Sequence, residues 1–184
     1  MISRNNLNIL LIQLRDDKMK EHEFQCLVDR TGLHPSCIES HDVFTRPFSE
    51  ASLDGRDLVM IGGAGSHCVS EKTLPCQEEL YAFIRRVVES RIPLLGICYG
   101  FHAMTEALGG VVIHDPVRQE TKTFDVTRTS VSDLDPAMQK MPRVFAAQFG
   151  HKDHARTLPH GAVNLAFTER SEYQAWTIPG KPVY

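Results

Sequence analysis

The sequence predicts an α/β fold: an open, mainly parallel, twisted sheet with helices on both faces, extended by antiparallel strands. Three observations predict it. Three short apolar runs, NILLIQL from Asn8 to Leu14, DLVMI from Asp57 to Ile61 and IPLLGI from Ile92 to Ile97, read as buried strands. A stretch with helical spacing of apolar residues accompanies each of them. Beyond Gly110 the pattern changes to short strand-like segments joined by Pro- and Gly-bearing connections. Strand–helix alternation needs crossover connections, which give parallel neighbours covered by helices.

In chain order, Asp16 to Arg30 is charged, with Phe24, Leu27 and Val28 at helical spacing, and Thr31-Gly32 ends it. Leu74 to Ser90 carries Leu80, Phe83, Ile84, Val87 and Val88 on one helical face. Phe101, Met104, Ala107 and Leu108 mark a third helix, stopped by Gly109-Gly110. The segments 111–113, 121–128, 144–149, 162–168 and 173–178 are expected to form strands and hairpins.

The 184 residues suit one domain, 1–184, with a sizeable core. A net charge of −3 with neutral histidines gives no reason to expect nucleic acid or a membrane surface as a partner. No stretch is long and apolar enough to span a bilayer. The apolar run near the N-terminus is closed by Arg15, Asp16 and Asp17 and has no small-residue cleavage site, so it reads as a strand. Five irregularly spaced cysteines with no CxxC fit a reducing, cytoplasmic setting without disulfides or zinc fingers.

The chemistry concentrates at Gly96-Ile97-Cys98-Tyr99-Gly100. A nucleophile on a sharp strand-to-helix turn is exposed at the carboxyl end of the sheet, and the crowded turn needs small residues two before and two after it. Gly96 and Gly100 meet that need. A buried cysteine after a core strand would also tolerate these glycines, but the strand before and the helix after favour the nucleophile. The helix N-terminus is expected to lower the Cys98 thiol. The Tyr99 N–H is placed to meet an oxyanion. The loop Gly62-Gly63-Ala64-Gly65-Ser66 follows a strand at the same sheet edge. It lacks both phosphate fingerprints, so Gly63 is expected to be the second oxyanion donor. Cys68 lacks an elbow and reads as a packing residue.

Together, GICYG and GGAGS resemble the elbow and the upstream glycine loop of the class I glutamine amidotransferases, a flavodoxin-like fold. The stretch from Phe149 to Trp176 is similar to the late strands of the GMP synthetase amidotransferase and of free-standing, peptidase-like members. The resemblance implies that Cys98 attacks the side-chain amide of glutamine, or of a γ-glutamyl compound, with Tyr99 and Gly63 holding the oxyanion. Ammonia is then released or passed to a synthase subunit, and a thioester is hydrolysed without a cofactor. It also implies that Gly62, His102 and His151 lie near the substrate, His102 standing where the family usually has Gln. His151 and His154, in HKDH, read as part of a solvated loop with no third metal ligand in view, so no metal is expected.

In that family a His-x-Glu pair after the next strand supplies acid and base. No histidine after Cys98 has Glu at the second position. Lys181 to Tyr184 looks like the start of the strand leading to such a pair, so the C-terminal end of the domain is expected to be missing. Two other functions compete. One is a PfpI-like peptidase or chaperone, which usually has His directly after its Cys, where Tyr99 stands. The other is a catalytically dead domain that regulates a partner.

Overall fold

Ile9–Gln13 (β1) is buried along its whole length and sits inside the sheet. The structure, a computed structural model, describes residues 6–184. β1 pairs in parallel with Ile38–Asp42 (β2) on one side and Leu58–Ile61 (β3) on the other. Leu94–Gly96 (β4) continues the parallel sheet beyond β3, giving the order β2-β1-β3-β4. Leu10 and Ile12 point into a core shared with Gln77–Glu89 (α2) and Tyr99–Ala107 (α3). Ile9 and Leu11 point the other way, where Phe24, Leu27 and Val28 of Met19–Thr31 (α1) pack. Apolar contacts on both faces explain why NILLIQL shows no alternation.

The helix ends follow local chemistry. Gly32 closes α1 at φ 64°, and its N–H donates to the Val28 carbonyl at 2.9 Å. α2 begins at Gln77 rather than Leu74, because Pro75 lies in the turn before it.

Beyond α3, Val111–His114 (β5) pairs antiparallel with Asp153–Thr157 (β8). Thr123–Arg128 (β6) lies between Val144–Gln148 (β7) and Val163–Phe167 (β9), and Ala175–Thr177 (β10) borders β9. All but β8 are antiparallel additions the sequence predicts.

Two strands lie outside the apolar pattern. β2 reads IESHD, with Ile38 and His41 inward and Glu39 and Ser40 exposed. Its ladder to β1 and the Lys20–Asp42 ion pair at 2.6 Å compensate for the missing apolar residues. β8 reads DHART, and its buried Asp153 and His154 are held by polar partners.

The segment 182–184 lies parallel to β4. The Leu94 N–H donates to the Pro182 carbonyl, and the Tyr184 N–H to the Leu94 carbonyl, both at 2.8 Å. The Gly96 N–H completes the ladder on the Tyr184 carbonyl at 2.8 Å. The strand expected at Lys181 to Tyr184 therefore adds to the sheet beside the strand that carries the elbow.

Trp176 joins the two halves: it is 1% exposed, and its Nε1–H donates to Thr105 Oγ1 of α3 at 3.0 Å. Trp176→Ala is expected to cost about 3–5 kcal/mol in denaturant unfolding. A loss under about 0.5 kcal/mol, the scale of surface substitutions, would contradict this role.

Candidate active site

The elbow is held from three sides. The Ile97 N–H donates to the Ile61 carbonyl at 2.9 Å, and the Gly100 N–H to the Gly62 carbonyl at 3.2 Å. These bonds draw the turn onto the end of β3. A Cβ on Gly96 would meet the Gly100 carbonyl carbon at 2.6 Å and press on Met104 Sδ. A Cβ on Gly100 would meet the Ile61 carbonyl carbon at 2.9 Å, and its oxygen closer still. Neither site has room for a side chain. Cys98, between them, adopts φ 56° and ψ −107°. That conformation costs on the order of 1–3 kcal/mol in an L-residue and persists only where its surroundings enforce it. Behind the turn, Tyr99 is buried, and its hydroxyl donates to Gln77 Oε1 at 2.9 Å. Gln77 Nε2 in turn donates to the Val69 carbonyl at 2.9 Å and the Tyr81 hydroxyl at 2.7 Å.

Cys98 faces a pocket of about 250 Å³ lined by Phe101, His102, Phe149, His151 and Gln174, among others. The structure thus gathers Cys98, His102 and His151 around one cavity. Gly62 and Gly63 are not among the residues lining it. The Gly63 N–H, expected to be an oxyanion donor, donates to Glu23 Oε1 at 2.9 Å. Glu23 comes from α1, with Arg15 Nε at 3.7 Å from the same oxygen. Desolvation raises the Glu23 carboxyl, against the Gly63 N–H and the Arg15 charge. The Tyr99 N–H is directed at the Cys98 sulfur instead.

The expectation of a lowered thiol is corrected. Cys98 keeps solvent-exposed surface, yet the protein packed around its sulfur raises the thiol above the ordinary cysteine value, although the Tyr99 N–H and Arg15 pull it down. Glu23 and Asp153 add to the rise. A single helix N-terminus is outweighed by desolvation and two carboxylates.

His102 and His154 are buried rather than solvated, and His151 is half-buried. His154 is 1% exposed, on β8, and the expected loop is a strand there. Burial pushes His102, His151 and His154 below the ordinary imidazole range, His102 furthest. All three rings are therefore neutral at pH 7. His151 Nδ1 lies 2.9 Å from the Asp153 carbonyl, and its Nε2 lies 3.3 Å from Glu120 Oε2. Nδ1 is held by the Asp153 carbonyl, and Nε2 faces the Glu120 carboxylate without a hydrogen bond to it. Asp153 accepts from the Ser70 N–H at 3.0 Å, from the Ser70 hydroxyl at 2.6 Å and from His114 Nδ1 at 3.2 Å. Its carboxylate, the end of β8 and the Ser70 turn are tied together. Cys68 is half-buried near this group, and its thiol is raised by desolvation and by Asp153.

Arg15, Glu23, Glu120 and Asp153 escape sequence reasoning. Arg15 and Glu23 reach the site from just after β1 and from α1, where charged residues look like ordinary solvated ones. Glu120 precedes β6 in a polar stretch with no pattern.

The glutamine amidotransferase class-I family model matches residues 28–184. The chain belongs to that family. Among its relatives, it is 34% identical over 139 residues to a GMP synthase (glutamine-hydrolyzing) of Dehalococcoides mccartyi, a match covering 74% of this chain and 24% of that one. It is 30% identical over 135 residues to a glutamine-hydrolyzing GMP synthase subunit of Methanocaldococcus jannaschii, covering 73% and 64%. The chain thus spans about a quarter of the full-length synthases it matches. A glutamine amidotransferase of Thermotoga maritima shares its fold with TM-score 0.76 at 20% identity, covering 97% of this chain and 74% of that one. A putative GMP synthase subunit of Thermoplasma acidophilum does so with TM-score 0.77 at 17% identity, covering 97% and 81%. These likenesses bear out the flavodoxin-like architecture expected from the elbow and the glycine loop.

Alkylation of Cys98 by a neutral reagent, followed against pH by peptide mapping, is expected to reach half its maximal rate above about pH 8.5, the free-thiol value. Glu23→Gln removes a raising charge and moves that midpoint down; Arg15→Gln moves it up. A wild-type midpoint below about 7.5, within the range of activated cysteines, would contradict the balance described. Gly100→Ala is expected to abolish the elbow, read as loss of selective Cys98 modification.

Proposed function

We propose that this domain hydrolyses the side-chain amide of glutamine, or of a γ-glutamyl compound, through a Cys98 thioester. The observation that carries the reading is the strained Cys98 backbone clamped by two glycines that admit no side chain. The thiolate sulfur bonds to the amide carbon, and the oxygen becomes anionic beside the Tyr99 N–H. The C–N bond breaks and ammonia leaves with an added proton. Water then displaces sulfur, giving the carboxylate and restoring the thiol. The pocket beside Cys98 holds the amino-acid portion, with His102 and His151 on its wall.

The ammonia acceptor in this reading is a synthase subunit or domain, as the names of the relatives suggest. The setting is the cytoplasm; among the described residues no helix is long and apolar enough to cross a membrane. In the family the acid and base are a His–Glu pair, and no histidine in residues 99–184 has Glu at the second position. The segment 182–184 runs parallel to β4, which leads to Cys98. The family match favours this reading over the PfpI-like one. A second reading, a quiescent domain that regulates a partner, draws on the Glu23 carboxylate seated on the Gly63 N–H.

Incubation with glutamine tests the proposal. Released glutamate shows turnover, and a γ-glutamyl adduct on Cys98 shows acylation without deacylation. Both are expected to vanish in Cys98→Ala. Glutamate release that persists in Cys98→Ala, or neither product in the wild-type protein, would overturn the assignment.

A further inference from the structure

We propose that Glu120, His151 and His154 form a binding site for a divalent transition-metal ion of the zinc class, behind the wall of the Cys98 pocket. Their side-chain donor atoms lie within 4.8 Å of one another. The backbone sets them rigidly. Glu120 and His151 exchange both N–H bonds, at 3.0 and 2.9 Å, and His154 follows three residues later on β8. Glu120 is fully buried, and His154 nearly so.

The tautomers point to a missing cation. A backbone carbonyl can only accept, so His151 Nδ1, 2.9 Å from the Asp153 oxygen, carries the ring proton. A neutral His151 then presents a bare Nε2 lone pair to Glu120 Oε2 at 3.3 Å. Two electron-rich atoms then face each other at that distance. His154 contacts Ser171 Oγ through Nδ1 at 3.1 Å. The Nε2 atoms of His151 and His154 are both buried with no hydrogen-bond partner. An added proton on His151 would satisfy the pair with Glu120 but leave His154 Nε2 unpaired. One cation satisfies all three groups.

The donor set is two imidazoles and one carboxylate, which suits zinc and its first-row neighbours. Bonds of about 2.0–2.1 Å in a tetrahedral shell place ligand atoms about 3.3 Å apart. The His151–Glu120 separation already has that value. The outer contacts also match those of metal sites. The Asp153 carbonyl orients His151, and Ser171 orients His154. The Thr168 hydroxyl donates to Glu120 Oε1 at 2.6 Å, and Gln174 Nε2 donates to Oε2. The neighbouring set of Cys68, His114 and Asp153 is a weaker candidate, because His114 is exposed, Cys68 is half-buried and His114 Nδ1 already sits on the Asp153 carboxylate.

The test is a titration of the chelator-treated full chain with Co²⁺, read by visible absorption, and with Zn²⁺, read by calorimetry. One ion per chain is expected, with cobalt ligand-field bands and no thiolate charge-transfer band. His154→Gln is expected to abolish this binding, while Cys68→Ser retains it. Zinc-edge X-ray absorption of the wild-type protein gives an answer that does not depend on any variant folding: a shell of nitrogen and oxygen with imidazole scattering. A sulfur neighbour near about 2.3 Å, unchanged affinity in a folded His154→Gln protein, or no binding by the wild type would overturn the proposal.

Discussion

Everything at the pocket depends on the contact between the end of β4, the start of α3 and the end of β3. Gly96 and Gly100 let three backbones approach more closely than any side chain permits, and the residue between them is forced to positive φ. The strain at Cys98 is local, while the restraint on it is spread widely. It includes the Ile97 and Gly100 amides on β3 and the buried Tyr99–Gln77–Tyr81 chain on α2. Such a turn has little use as packing, because a relaxed loop would join the same strand and helix at lower cost.

The electrostatics around the thiol oppose early ionisation. Desolvation and the Glu23 and Asp153 carboxylates favour the neutral thiol, and Arg15 and the Tyr99 amide only partly offset them. Burial holds the surrounding imidazoles toward their neutral form, and His151 turns its Nε2 to the Glu120 carboxylate. In the proposed reading, the wall of the pocket is a positioning surface. The Glu23 carboxylate occupies the Gly63 amide.

Much of the fold is legible in the sequence where burial is two-sided. β1, β3 and β4 are continuous apolar runs because helices cover both faces, and the elbow glycines announce a backbone approach that only glycine permits. The remainder is illegible for a common reason: its stability is polar and long-range. β2 has one apolar residue and is held by its ladder and by Lys20, which comes from another element. β8 reads as a solvated turn, yet Asp153 and His154 are buried because Ser70 and Ser171 reach them from distant parts of the chain. Glu120 and Glu23 look like surface carboxylates, and only the assembled sheet shows what they face. The thiol is misread from sequence because a helix N-terminus is visible there whereas desolvation is not.

Central to all of this is Cys98 as a nucleophile matched to a γ-glutamyl group. The most direct measurement is peptide-mapped labelling by a glutamine-like electrophile at limiting concentration, in competition with glutamine. Labelling confined to Cys98, spared at Cys26, Cys37, Cys68 and Cys76 and suppressed by glutamine, is the predicted result. Equal labelling of all five cysteines, or labelling of Cys98 that glutamine does not suppress, would contradict it.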